Sequence, residues 1–262
     1  MGLFDFLKKK EKAQTTSRTE SFQFTETEPY LGDLNKTNVL YKLVQTARNE
    51  RDEKWRQTFL DNIGQASFRC GDPQVKTGPD GFPYFKLFLP EANKEFQCFV
   101  IDKMKDDFLL ASGFGVVINP TPDGADWVLS YGDILNFHLN KTFYTTTETA
   151  FSRETNNEVI NANEEVLIAQ PSEILLPKQT RNLLAEFLKR NGIHAPKILL
   201  LVRPGSDGNG VSQDLVFNLT PNNFTDENTY NRVMQIISWY LPRHYSFVGM
   251  DEKSFKNEFR PL

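Results

Sequence analysis

From residue 164 onward the chain switches repeatedly between the period of a strand and that of a helix, which restricts the available folds. Val166-Leu-Ile-Ala169 is a short apolar run, and Leu183, Leu184, Phe187 and Leu188 follow at helical spacing. Ile198-Leu-Leu-Leu-Val202 is a second run, ending in the turn-rich Arg203-Pro-Gly-Ser-Asp-Gly-Asn-Gly210. Leu215, Phe217 and Leu219 alternate as one face of a strand does. Tyr230, Val233, Met234, Ile237, Tyr240 and Leu241 share one stripe of a helix, and Tyr245-Ser-Phe-Val248 closes the series. The order reads β-α-β-β-α-β, so the expectation is a ferredoxin-like, mostly antiparallel sheet with both helices on one face.

The first half reads differently. Thr37 or Asn38 caps a long predicted helix whose apolar face runs through Val39, Leu40, Leu43, Val44 and Ala47. The charged stretch from Arg48 to Lys54 interrupts that face before Trp55, Phe59 and Leu60 resume it, and Gly64 ends it. Strands are expected at 66–70, 84–89, 95–101 and 114–118, with turn chemistry at Lys76–Gly81 and again at Pro120–Gly124, after which Trp127-Val-Leu129 leads into the next helix. A short charged helix covers Lys103–Leu110, and Ser130-Tyr-Gly-Asp133 reads as a capping box opening a helix through Leu139. The whole is therefore α+β with two domains. Residues 1–36 form a flexible tail, 37–150 the first domain, 151–163 a linker and 164–262 the second domain.

Charge and cysteine usage narrow the function. A formal net charge of −4 over 262 residues argues against general nucleic-acid binding. No signal peptide or membrane-length apolar run is visible, so a cytoplasmic protein is expected. Cys70 and Cys98 then read as reduced core residues rather than a disulfide, and His138, His194 and His244 lack metal-ligand spacing. Leu3, Phe4 and Leu7 beside Lys8–Lys10 form an amphipathic opening, which suits either a membrane surface or a frayed terminus. Gly205–Gly210 connects two predicted strands, which makes it a hairpin loop rather than a phosphate cradle. Asp102, Asp106 and Asp107 read as a solvated helix face. No catalytic motif, metal site or cofactor is expected.

Val166-Leu-Ile-Ala-Gln-Pro171, the helix at 178–190, Lys197-Ile-Leu-Leu-Leu-Val202 and the late helix leading to Phe247-Val-Gly249 resemble the C-terminal domain of the SseB (enhanced serine sensitivity) family. Phe114-Gly-Val-Val-Ile-Asn-Pro120 resembles a segment near the end of that family's N-terminal domain. The resemblance implies a two-domain, cytoplasmic bacterial protein that recurs among interaction and toxin-immunity modules, with no catalytic motif to carry over.

One cluster invites a binding role. Asp123, Asp126, Trp127, Tyr131 and Asp133 crowd a turn and a helix start, combining aromatic anchors with acids that would steer a basic protein partner such as a toxin. The competing reading makes Trp127 and Tyr131 core residues and the acids a favourable helix N-terminus. The expected function is thus a non-enzymatic protein-binding module. The rival is a small-molecule sensor or enzyme with an inter-domain site.

Overall fold

The computed structural model describes residues 31–151, 166–204, 210–255 and 257–262. The N-terminal segment, nearly all of the expected linker at 151–163, and the 205–210 loop apart from Gly210 lie outside them. The protein is α+β, with two mixed sheets, and divides into two compact units, Met1–Ile134 and Leu135–Leu262.

The first unit opens with α1 (Leu34–Leu43), capped not by Thr37 or Asn38 but by Asp33. The Asp33 carboxylate accepts from the Asn35 and Lys36 N–H groups, while Thr37 is buried and donates to the Asp33 carbonyl. The expected long helix breaks where its apolar face stops. Residues Arg48–Glu50 make a single 3₁₀ turn with no buried side chain, and Asp52 then caps a separate α2 (Glu53–Ile63). Each helix start follows from a carboxylate placed to satisfy orphan N–H groups.

The sheet of this unit runs β1 (Arg69–Thr77), β2 (Pro83–Phe88), β3 (Gly115–Ile118) and β4 (Trp127–Leu129) in that order. The β2–β3 pair is parallel and the other two are antiparallel. The strand expected at 95–101 shrinks to one bridge, in which Phe99 exchanges backbone hydrogen bonds with Phe68. The charged helix after it starts at Ile101 as α3 (Ile101–Met104) and widens into a π-helical stretch, Lys105–Leu110. There the buried Lys105 ammonium folds back onto the Asp102 carbonyl and carboxylate at 2.6 and 2.9 Å. Asp102 is therefore ion-paired rather than merely solvated.

Register sorts the two faces of this sheet. Phe85, Val116 and Leu129 are aligned across β2, β3 and β4, as are Leu87, Ile118 and Trp127, and this face meets the helices. Trp127 packs 6.0 Å from Trp55 and 5.6 Å from Phe59 of α2. The opposite face carries Tyr84, Lys86, Gly115, Val117 and Val128.

Helix α4 (Tyr131–Asn140) spans the division in the chain. Its later half packs within the second unit. Phe137 stacks on Phe143 at 4.3 Å, Asn136 bonds Thr142 and Thr145, and the Ala150 carbonyl accepts from Gln213. These contacts group residues 136–150 with the second unit.

The second unit adds β5 (Leu167–Ala169), α5 (Lys178–Arg190), β6 (Lys197–Pro204), β7 (Val211–Phe217), α6 (Glu227–Tyr240), β8 (Phe247–Gly249) and β9 (Arg260–Pro261). The β-α-β-β-α-β order is present, but the sheet order is β5-β6-β7-β8, with β9 also pairing β6. A split βαβ unit leaves a strand between the two it connects. Here β5 pairs directly with β6 in antiparallel fashion and β7 directly with β8 in parallel, so the ferredoxin-like interleaving is absent. Between β5 and α5 the chain makes a tight turn in which the Ser172 carbonyl accepts from the Leu175 and Leu176 N–H groups. On one sheet face Leu199, Leu201 and Val216 pack with Phe259, Phe255 and Met250 of the C-terminal segment. Helices α5 and α6 meet through Phe187 and Tyr240, whose rings lie 6.1 Å apart. No helix among the described residues is long and apolar enough to cross a membrane.

Candidate docking cleft

The turn sequence Pro-Asp-Gly occurs twice, at 79–81 and at 122–124. In both copies the glycine N–H donates to the carbonyl of the residue before proline, Gly81 to Gly78 and Gly124 to Thr121. Gly81 and Gly124 take φ of +85° and +136°, a region that favours glycine, while proline presets the first corner. One turn ends β1 and the other lies after β3, so they rise as two walls beside the outer face of the first sheet.

Between them lies a cleft of about 610 Å³, floored by Tyr84, Val117 and Val128 and walled by Pro79, Pro120 and Pro122. Its floor is rigidly made. The Tyr84 hydroxyl donates to Asp80 at 2.6 Å, and the Tyr84 ring leaves no room for a side chain at Gly78 or Gly115. A Cβ at Gly115 would stand 2.7 Å from that ring and 2.5 Å from the Leu129 carbonyl oxygen. The Asp80 carboxylate also accepts the Phe82 N–H at 3.1 Å, so both its oxygens are engaged. Val128 stays 45 % exposed on β4, the last strand of the sheet order.

On the other side of the 120–126 turn is a hollow of about 400 Å³ bordered by Arg48, Arg51, Arg56, Trp55 and Trp127. Arg51 is fully used: it donates to the Thr46 and Asp126 carbonyls, pairs with the Asp126 carboxylate at 2.7 Å, and lies 4.5 Å over the Trp55 ring. Arg56 pairs with Glu53 at 2.5 Å. Arg48 donates to the Asp123 carbonyl at 2.9 Å.

This geometry redistributes the residues expected to form an acidic surface. Asp123 is exposed, but Asp126 is drawn inside by Arg51 and by Asn119, whose amide donates to it at 2.7 Å. Trp127 is half-buried among Trp55 and Phe59. Tyr131 and Asp133 are completely buried. Asp133 and Ser130 form the expected capping box, each side chain accepting the other's N–H at 2.9 and 3.1 Å. The expectation that all five lie on the surface therefore fails at Tyr131 and Asp133, because a cap whose side chain turns back onto its own helix follows it into the core.

Compared with family models, with curated proteins and with solved structures, the chain matches none of them. The site must be read from its own residues.

Tyr84, Val117, Pro79 and Arg48 do not stand out in the sequence as site residues, and the repeated Pro-Asp-Gly is the signal that points to them. Elsewhere among the described residues, no group of three or more His, Cys, Asp or Glu is placed to hold a metal, and Cys70 and Cys98 are free thiols, both half-buried rather than core. A buried Arg203–Asp214 pair at 2.8 Å, joined by the Ser246 hydroxyl, lies on the sheet face of the second unit that carries Leu201 and Val216.

Proposed function

We propose that the protein works by binding another protein, as its resemblance to the SseB family implies, and that the cleft between the two Pro-Asp-Gly turns is where it does so. The observation that carries this reading is the exposed Val128 beside a preformed floor of Tyr84 and Val117, with proline walls that lose no conformational freedom on binding. An extended partner segment laid along β4 would place alternate side chains in the cleft, the way strands are added to sheet edges. A small-molecule site needs convergent polar groups to orient its ligand, whereas here the Tyr84 hydroxyl and the Asp80 carboxylate are spent on each other.

The cytoplasmic setting and an immunity role belong to this same proposal. The basic partner does not, since Asp126 and Asp133 are held internally and leave Asp123 as the exposed acid of the five-residue cluster.

The test is to capture a partner from the native host, purify it, and titrate it against the wild type and Val128→Asp. Burying a valine is worth about 1.5 kcal/mol, or about tenfold in affinity, before the cost of desolvating the new carboxylate. A folded Val128→Asp protein should thus bind at least about tenfold more weakly. Unchanged affinity would remove the cleft from the account.

A further inference from the structure

We infer that the segment received by the cleft is uncharged where it makes contact and is anchored by aromatic side chains. This rests on the docking reading and names the chemistry of the partner. The second unit shows how a sheet face of this kind is covered, because the two units are built on one frame. In each, a helix leads into an antiparallel hairpin, and a helical crossover returns the next strand parallel to the hairpin's second strand. The elements are α2, β1–β2, α3 and β3 in the first unit, and α5, β6–β7, α6 and β8 in the second. The frames match at the end of the crossover strand. There the Asn119 N–H donates to the Leu87 carbonyl at 2.8 Å, and the Met250 N–H to the Phe217 carbonyl at 2.9 Å.

From that point the units part. In the second, the chain crosses the sheet and seats Met250, Phe255 and Phe259 on Leu199, Leu201 and Val216 before β9 pairs with β6. In the first, it folds back through the Thr121–Gly124 turn and pairs with β3 as β4. Counting back from the two matched bonds, Tyr84 corresponds to Asp214, so its cross-strand neighbour Lys76 corresponds to Leu201, and Lys86 to Val216. The apolar ground of the first unit's face therefore lies further along the sheet, at Val117 and Val128, where the cleft is.

Charge does not select the occupant. Among the described residues lining the cleft, Lys76 is the one cation and Asp80 the one acid, and Asp80 accepts from Tyr84 and Phe82. Shape does select it. The Tyr84 ring lies so close to Gly78 and Gly115 that a Cβ on either would come within 2.7 Å of it, and Pro79, Pro120 and Pro122 stand around it. Such ring-lined walls suit a flat aromatic side chain, which has two rotatable bonds to immobilise and buries a large apolar area. Phe255 and Phe259 are the residues of this type that the second unit lays on its own sheet face.

The experiment pans a random peptide library displayed on phage against the immobilised full chain, then titrates synthetic copies of the enriched peptides. They are expected to share a Phe, Tyr or Trp, and to lose at least about tenfold in affinity when it is replaced by Ala. Their affinity should stay within about twofold between about 0.05 and 0.5 M salt, since no ion pair holds them. Val128→Asp locates them in the cleft by weakening them, with Val128→Thr in its place should the first variant not fold. Enriched peptides without an aromatic residue, or whose affinity follows a charged residue and falls with salt, overturn the inference. The cleft still stands in that case if the Val128 variant weakens them. A wild-type chain whose self-association is abolished by the Val128 variant makes a second copy the occupant, and overturns the partner named here. No enrichment, or peptides indifferent to the Val128 variant, overturns the docking reading and this inference with it.

Discussion

Asn119 and Asp126 hold each other across the second Pro-Asp-Gly turn, the Asn119 amide donating to the Asp126 carboxylate at 2.7 Å. Asn119 sits at φ +47° and its side-chain oxygen accepts the Leu89 N–H at 3.0 Å, so it ties the end of β2 to the turn. Asp126 passes the restraint to Arg51 and so to the segment before α2. Because the Arg51 side chain is only 11 % exposed, Asp126→Ala leaves a buried cation without its counter-charge. A loss of about 3 kcal/mol in unfolding free energy is expected. Urea denaturation checks this, and an unmoved midpoint would show that the turn is held by other means.

Gly115 is fixed by what surrounds it. Its neighbours leave no space for a methyl group, so Gly115→Ala should force the Tyr84 ring off the cleft floor and cost about 1–3 kcal/mol. Peptide or partner binding should weaken together with the melting temperature. A variant that melts and binds like the wild type would show the floor to be soft.

In the second unit Asp214 is 2 % exposed and neutralises Arg203, whose Nε has no hydrogen-bond partner. Asp214→Ala should destabilise by about 3–5 kcal/mol, since it strands that guanidinium in the sheet. The double replacement Arg203→Met with Asp214→Leu should recover most of the loss, because a buried ion pair rarely exceeds apolar packing. Chemical denaturation of the three variants decides it: a double variant no better than Asp214→Ala would give the pair a specific structural role.

His244 offers a pH signature. Its ring stands edge-on to Tyr245 at 4.8 Å and to Phe151 at 6.5 Å, and burial lowers its pKa from the ordinary 6.5. The adjacent Arg243 is occupied over the Tyr144 ring at 4.4 Å. A depressed folded pKa means that the unfolded chain takes up the proton first, so the stability contributed by neutral His244 is complete above pH 6.5 and is lost as pH falls below it. His244→Gln should therefore flatten the decline in melting temperature between about pH 6.5 and pH 5. Parallel curves for the two proteins would place the histidine in solvent.

Much of the secondary structure was legible because its signals are local. The runs at 84–89, 114–118 and 198–202 became strands, and the 3.6-residue stripes at 178–190 and 230–241 became helices, within a residue or a few at each end, whereas the short strand at Trp127–Leu129 was not anticipated. Pairing was not legible. Nothing in the β-α-β-β-α-β order distinguishes a sheet of sequential neighbours from an interleaved one, since the order of elements does not say which strands exchange hydrogen bonds. The strand expected at 95–101 had suitable residues but found only Phe68 as a bridging partner. For the site, sequence located the 120–124 turn and its neighbours but misjudged their exposure. Burial of Tyr131 and Asp133, and the capture of Asp126 by Arg51, arise from contacts with distant segments.

The central claim is that the cleft at Val128 is the surface a protein partner covers. Photo-crosslinking in the native host tests it most directly, with p-benzoylphenylalanine placed in turn at Val128, Leu167 and Ile174. The last two are apolar positions on the second unit, 72 % and 80 % exposed against 45 % at Val128. The account predicts a discrete protein adduct from position 128 and none from the two more accessible controls. Adducts from Leu167 or Ile174 with none from position 128 would contradict it.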